Sequence, residues 1–116
     1  MTTIAMTKAA TVTAADFDTQ VLQSDVPVLV DFYASWCPPC RAVAPEVDAV
    51  AAQMEGQARV FKLDVDADPD VEARYGVRSI PTLIFFKDGQ VVDQVVGAVR
   101  RTVLVEKLQK LQSVSD

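Results

Sequence analysis

The chain has 116 residues, half of them hydrophobic, a net charge of −5, two cysteines and no histidine. That length predicts one domain able to bury a core without disulfide staples, and the acidic balance argues against a nucleic-acid partner. The missing histidine excludes Cys-His and Ser-His nucleophilic pairs and every histidine-containing metal site.

In chain order, residues 8–13 read as a short edge strand, with Val12 its clearest strand former. Thr13 is placed to cap a first helix, with Asp16 three residues on and Ala14, Phe17 and Val21 at helical spacing. Asp25 and Pro27 break that helix. Residues 28–34 form a nearly continuous apolar run, the pattern of a central strand covered on both faces. The second helix is predicted over 38–54, with a core stripe of Val43, Val47, Val50, Ala51 and Met54 and a stop at Gly56. Pro45 inside it frees a carbonyl one turn back, so a kink is expected.

Residues 59–65 read as the next strand, and 69–75 as a short helix stopped by Gly76. Residues 80–87 and 90–96 flank Asp88-Gly89, a strong hairpin signal. The last helix is predicted over 102–112, with Leu104, Leu108 and Leu111 facing inward. The order βαβαβαββα predicts three parallel strands joined by helices, then an antiparallel pair. Residues 1–15 lack a basic segment and a long apolar stretch, so neither a signal peptide nor a membrane span is expected, and a cytoplasmic location follows.

Both cysteines fall in Trp36-Cys37-Pro38-Pro39-Cys40, where the apolar strand hands over to the second helix. A C-x-x-C pair there reads as a dithiol redox site. Cys37 lies at a helix N-terminus, where unpaired N–H groups and the positive end of the dipole favour a thiolate, the species that attacks disulfides. Cys40 is near enough to complete the exchange. The pair could instead be a structural disulfide or half of a zinc site, but zinc takes four ligands and one chain offers two thiols. Pro38 and Pro39 are tolerated in a first turn, and a residue before proline is pushed to the extended geometry that suits Cys37 as the cap. Pro38 either removes a donor near the thiolate or simply stiffens the loop.

Asp31 interrupts the apolar run, and a carboxylate in a central strand is costly unless it has a function. Burial would raise its pKa; a solvent-exposed strand end is the other reading. Asp64, Asp66, Asp68 and Asp70 alternate as D-x-D-x-D-x-D, which superficially resembles a calcium loop but lacks its Gly and terminal Glu. A solvated turn fits better.

The segment Val28-Leu29-Val30-Asp31-Phe32-Tyr33-Ala34-Ser35-Trp36-Cys37-Pro38-Pro39-Cys40 resembles the active-site segment of the thioredoxin family. The match continues in Lys62-Leu63-Asp64-Val65-Asp66, in Tyr75-Gly76-Val77-Arg78-Ser79-Ile80-Pro81-Thr82-Leu83, in Phe86-Lys87-Asp88-Gly89 and in Val96-Gly97-Ala98, across residues 8–112. The family usually has Gly where Pro38 stands, often Trp where Tyr33 stands, and Gly where Ser79 stands. A Pro-Pro centre also resembles tryparedoxins, which are longer and otherwise less like this chain.

The resemblance implies an α/β thioredoxin fold over 8–112, a mixed five-stranded sheet flanked by four helices, with a flexible extension over 1–7 and a tail over 113–116. It implies a protein-disulfide reductase with Cys37 as nucleophile and Cys40 as resolving thiol, joined as a redox-active disulfide when oxidised. Asp31 corresponds to the family's buried proton acceptor and Lys62 to its neighbouring lysine, although a strand lysine can also snorkel to solvent. Pro81 corresponds to the cis-proline, with Ile80 offering its backbone to an extended substrate. Trp36, Pro38, Pro39, Ile80, Val96, Gly97 and Ala98 would surround Cys37 as a docking rim; Trp36 could otherwise be a core aromatic, and Gly97 could serve only a turn. No bound cofactor is implied: electrons would come from NADPH through a separate thioredoxin reductase, and this chain has no GxGxxG of its own. The expected partners are that reductase and disulfide-bearing proteins, with no nucleic acid or membrane, and the expected state is a monomer. A binding module with incidental cysteines and a dedicated oxidant are the alternative classes.

Overall fold

Strand β2, Val28–Tyr33, is buried along all but its last residue and forms the middle of the sheet. The computed structural model describes residues 7–112. The expected tail over 113–116, and all but Thr7 of the expected extension over 1–7, lie outside the described residues. Around β2 stand β1 (Ala10–Thr11), β3 (Arg59–Asp64), β4 (Thr82–Lys87) and β5 (Gln90–Val96), in the order β1-β3-β2-β4-β5. The β1–β3 and β2–β3 pairs are parallel, and β2–β4 and β4–β5 are antiparallel. The helices are α1 (Pro38–Gln53), α2 (Pro69–Arg74), α3 (Arg101–Gln112) and a π-helical segment, Asp18–Leu22. This is the expected mixed five-stranded sheet with four helices.

Alternation along the strands sends side chains into two cores. Val28, Val30 and Phe32 pack with Phe61, Ile84 and Phe86 against Phe17, Val21 and Val71. On the opposite face Leu29, Val60, Leu83 and Phe85 meet Val43, Val47 and Val50 of α1, Met54 at its C-cap, and Leu104 and Leu108 of α3. The hairpin turn has Asp88 at φ 54° and Gly89 at φ 79°, the left-handed pair that matches the twist of the flanking strands.

The first two elements depart from expectation. The predicted strand over 8–13 shrinks to two residues at the sheet edge. Thr13 does not cap a helix with its hydroxyl. Instead, its N–H and its hydroxyl both donate to Asp16 Oδ1, at 2.8 and 3.0 Å, and the Ala14 N–H donates to Asp68 Oδ1 at 3.0 Å. Carboxylates thus satisfy N–H groups ahead of the helical backbone, which begins at Phe17. Helix α1 runs through Pro45 as one element. Strand β4 starts at Thr82 rather than at residue 80, because Pro81 has no N–H to place in the ladder.

Candidate active site

Cys37 is the N-cap of α1, with φ −95° and ψ 110°, the extended backbone that a following proline favours. Its N–H donates to the Ala34 carbonyl at 3.2 Å, which fixes the turn between β2 and α1. Pro38 and Pro39 fill the first helical positions and have no N–H. The Cys40 N–H therefore serves the cap: it donates to Cys37 Sγ at 3.2 Å. Cys37 and Cys40 form a disulfide, with their Cα atoms 5.2 Å apart. Cys40 is not the more hidden of the two, because each residue is 3 % exposed in this oxidised state. Cys37 is sheltered by the neighbouring loop, and its Sγ lies 3.8 Å from the Ile80 carbonyl oxygen.

Ile80 is half-buried, and the bond from it to the buried Pro81 is cis. The Pro81 carbonyl accepts the Gly97 N–H at 2.8 Å, and Thr82 pairs with Val96. Contacts thus run from Cys37 through Ile80 and Pro81 to Gly97. Val96 is 57 % exposed and Ala98 is exposed. Gly97 has φ +96°, and a Cβ built there would touch nothing within 4 Å, so local geometry asks for glycine because of its backbone angle.

Trp36 is 64 % exposed, which rules out a core role. Its Nε1–H donates to Asp66 Oδ2 at 2.7 Å. The acidic run is therefore more than a solvated turn. Asp64 Oδ1 accepts the Asp66 N–H at 2.9 Å, Asp66 holds the indole and Asp68 holds Ala14. The Asp66 contact had no signal in the sequence, where Trp36 and Asp66 belong to different segments. Among the described residues, no group of three or more acidic or cysteine side chains could hold a metal ion.

Asp31 is 4 % exposed, and its Oδ1 has no hydrogen-bond partner among the described residues. Burial pushes its carboxyl up to about 7, against the opposing pull of the Lys62 cation and with a smaller push from Asp48. Lys62 is the direct cross-strand partner of Asp31 and is half-buried. The Tyr33 phenol is also raised, first by burial and then by Asp64 and Asp31.

A strand that delivers an N-capping cysteine to a helix start, with its disulfide partner one turn on, defines a thiol–disulfide oxidoreductase. The thioredoxin family model matches residues 8–110, and the chain belongs to the thioredoxin family. It is 57% identical to Thioredoxin 1 of Nostoc sp. over 105 residues, covering 90% of this chain and 98% of that protein. It is 56% identical to Thioredoxin 1 of Synechococcus elongatus, with the same coverage, 90% and 98%. It is 46% identical to the chloroplastic M-type thioredoxin of Pisum sativum over 83% of this chain and 56% of that protein. The activity is protein-disulfide reduction, and the redox-active group is the Cys37–Cys40 disulfide. Family membership implies disulfide-bearing protein substrates and a reductase partner. No helix among the described residues is long and apolar enough to cross a membrane.

Proposed function

We propose that Cys37 is the attacking thiolate and Cys40 the resolving thiol of a general protein-disulfide reductase. The observation that carries the assignment is the Cys40 N–H aimed at Cys37 Sγ from the start of α1. That donor and the helix dipole favour negative charge on Cys37. The Cys37 thiolate attacks one sulfur of a substrate disulfide, forms a mixed disulfide and expels the other sulfur as a thiolate. Cys40 then gives up its proton and attacks Cys37 Sγ. The second substrate sulfur leaves, and the Cys37–Cys40 disulfide closes. Two electrons pass to the substrate, which ends as a dithiol.

Asp31 takes the Cys40 proton, acting through water and becoming neutral, and Lys62 is its neighbouring cation across the ladder, favouring the ionised carboxylate before the transfer. In support, Asp31 lies on the sheet face covered by α1, the helix that carries Cys40, and burial makes it a base matched to neutral pH. An extended substrate docks on the Ile80 backbone beside Pro81, with Trp36, Pro38, Pro39, Val96, Gly97 and Ala98 as the rim. A separate flavoprotein reductase fed by NADPH returns the electrons. The protein works in the cytoplasm as a monomer, with residues 8–112 as its single domain.

The test is dithiothreitol-driven reduction of insulin by wild type, Cys37→Ser and Cys40→Ser. Cys37→Ser is expected to be inactive, and Cys40→Ser to stall as a mixed disulfide through Cys37. Wild-type turnover by Cys37→Ser would sink the nucleophile assignment, whereas a binding role that survives Cys37→Ser beside lost turnover would mark the fold as a binding module with incidental cysteines.

A further inference from the structure

Strand β5 closes one edge of the sheet, and only one of its two faces is covered. Val95 and Asp93 pair with Leu83 and Phe85, so they turn to the face packed by α3, where Asp93 Oδ2 accepts from Lys107 Nζ at 2.7 Å. Val91, Gln94 and Val96 pair with Phe86, Ile84 and Thr82 and turn to the other face. Ile84 and Phe86 are buried on that side in the same core as Cys37, with Ile80 packed against it. Val91, Gln94 and Val96 are instead exposed, Val91 at 47 %. An uncovered strip thus runs along β5 from Val96, at the rim of the site, to Val91, about 17 Å away at the rise of a strand. The strip carries no charge: in a chain that is 23% charged, the only charged residue from Gly89 to Val99 is Asp93, and it is turned away to Lys107.

We propose that this strip docks the uncharged, aliphatic stretch of about five residues that flanks the reacting cysteine of a protein substrate, and so selects among disulfides. This rests on the reading that substrates dock on the rim formed by Ile80 and Gly97. Continuity with that rim commits the strip to this occupant. Cys37 Sγ lies 3.8 Å from the Ile80 carbonyl oxygen, and the Pro81 carbonyl accepts the Gly97 N–H at 2.8 Å. Ile80 and Val96 stand on the same side of the sheet, so substrate chain leaving the rim on that side passes onto β5. The chemistry of the occupant follows from the strip. Covering Val91 and Val96 removes apolar surface from water, which favours aliphatic side chains, and a charge laid there loses hydration with no opposite charge to meet. Edge pairing with a second copy is disfavoured by the bulge at Phe85 and Phe86, which leaves Val92 out of the ladder, a device that protects sheet edges. The occupant therefore lies on the face of β5 through side chains, not along its edge through backbone.

The experiment measures reduction of three disulfide peptides, alike around the cysteine and different only in the flank that follows: valine and glutamine, glutamate and glutamine, or lysine and glutamine. Wild type is expected to reduce the valine peptide with a kcat/KM about fivefold or more above both charged ones, through KM. The net charge of the protein alone would move the two charged peptides in opposite directions. Val91→Lys is expected to abolish the valine advantage and to shift preference to the glutamate peptide, which a merely structural role of Val91 would not do. Should Val91→Lys fail to fold, Val91→Thr keeps the branched shape, adds a hydroxyl and is expected to lower the valine advantage. Equal rates on all three peptides, or a valine advantage that the Val91 variants leave untouched, overturn the proposal and leave the rim reading standing. Val96→Lys that slows none of the peptides overturns the rim reading, and the strip with it. A wild-type dimer that Val91→Lys dissolves, seen by sedimentation, assigns the strip to a second copy and overturns the proposal.

Discussion

Asp31 and Lys62 face each other across the parallel β2–β3 ladder, yet the carboxylate keeps an oxygen with no hydrogen bond. Among the described residues, no salt bridge joins them. The cation is near enough to oppose the shift of Asp31 but does not cancel the effect of burial. A buried charge left partly unsatisfied costs stability, and evolution keeps such a group where chemistry needs it.

The first prediction is a pH-dependent gain in stability from Asp31→Asn. The carboxyl moves from its ordinary 3.8 in the unfolded chain to about 7 in the fold. The folded state thus binds the proton more tightly, so its contribution is fully present below 3.8 and is lost as pH rises through 7. Asparagine has no proton to lose. Its advantage over aspartate is expected to grow by about 2 to 3 kcal/mol between roughly pH 5 and pH 8. Urea unfolding of both proteins at the two pH values measures it, and a constant difference would mean that Asp31 titrates like an exposed carboxylate.

The second prediction concerns the cysteines. In the oxidised fold they are equally hidden, so accessibility does not separate them. Their hydrogen bonding does: Cys37 Sγ accepts the Cys40 N–H, whereas Cys40 lies inside the first turn with its own N–H already committed. The reduced protein is expected to alkylate at Cys37 about tenfold faster than at Cys40 at neutral pH. Peptide mapping after a short pulse of iodoacetamide decides the order, and preferential labelling of Cys40 would reverse the roles.

Sequence reading recovered what local pattern dictates. The apolar run of β2, the proline-opened helix after Cys37 and the Asp88-Gly89 turn each carry their own signal, and each stands where expected. The burial of Asp31 was legible for the same reason, since its neighbours on both sides are core residues. What was missed rests on distant partners. Asp68 reaches Ala14 across 54 positions, and Asp66 reaches Trp36 across 30. No window of sequence contains both ends of such bonds. The placing of Asp31 beside Lys62 also lies in register: only the pairing of β2 and β3 sets the two directly across from each other.

The third prediction follows from the bond between Trp36 Nε1–H and Asp66. An exposed indole beside the attacking sulfur is useful for docking only if it is held, and a charged acceptor holds it. Asp66→Ala is expected to leave the alkylation rate of Cys37 unchanged and to weaken insulin reduction by about two- to fivefold, through KM. Trp36 is the one tryptophan in the chain, so its fluorescence anisotropy reports the freed ring directly. A looser indole with unchanged KM would remove Trp36 from the docking rim.

The last prediction concerns Pro38, where this chain leaves the usual family pattern. With proline at both of the first helical positions, the nearest helix N–H left for Cys37 Sγ is that of Cys40. Pro38→Gly restores an N–H at the start of the helix, where it adds to the positive end of the dipole and favours the Cys37 thiolate. It also frees the loop, so closing the disulfide ring from a more mobile dithiol costs more conformational entropy. Both effects favour the dithiol over the disulfide. Wild type is therefore expected to be the stronger reductant, with the variant about 10 to 20 mV less negative in potential. Equilibration of both proteins with glutathione buffers, read by thiol trapping, measures the difference. A variant more reducing than wild type would show that Pro38 strains the closed ring, and that this strain outweighs the missing donor and the stiffened loop together.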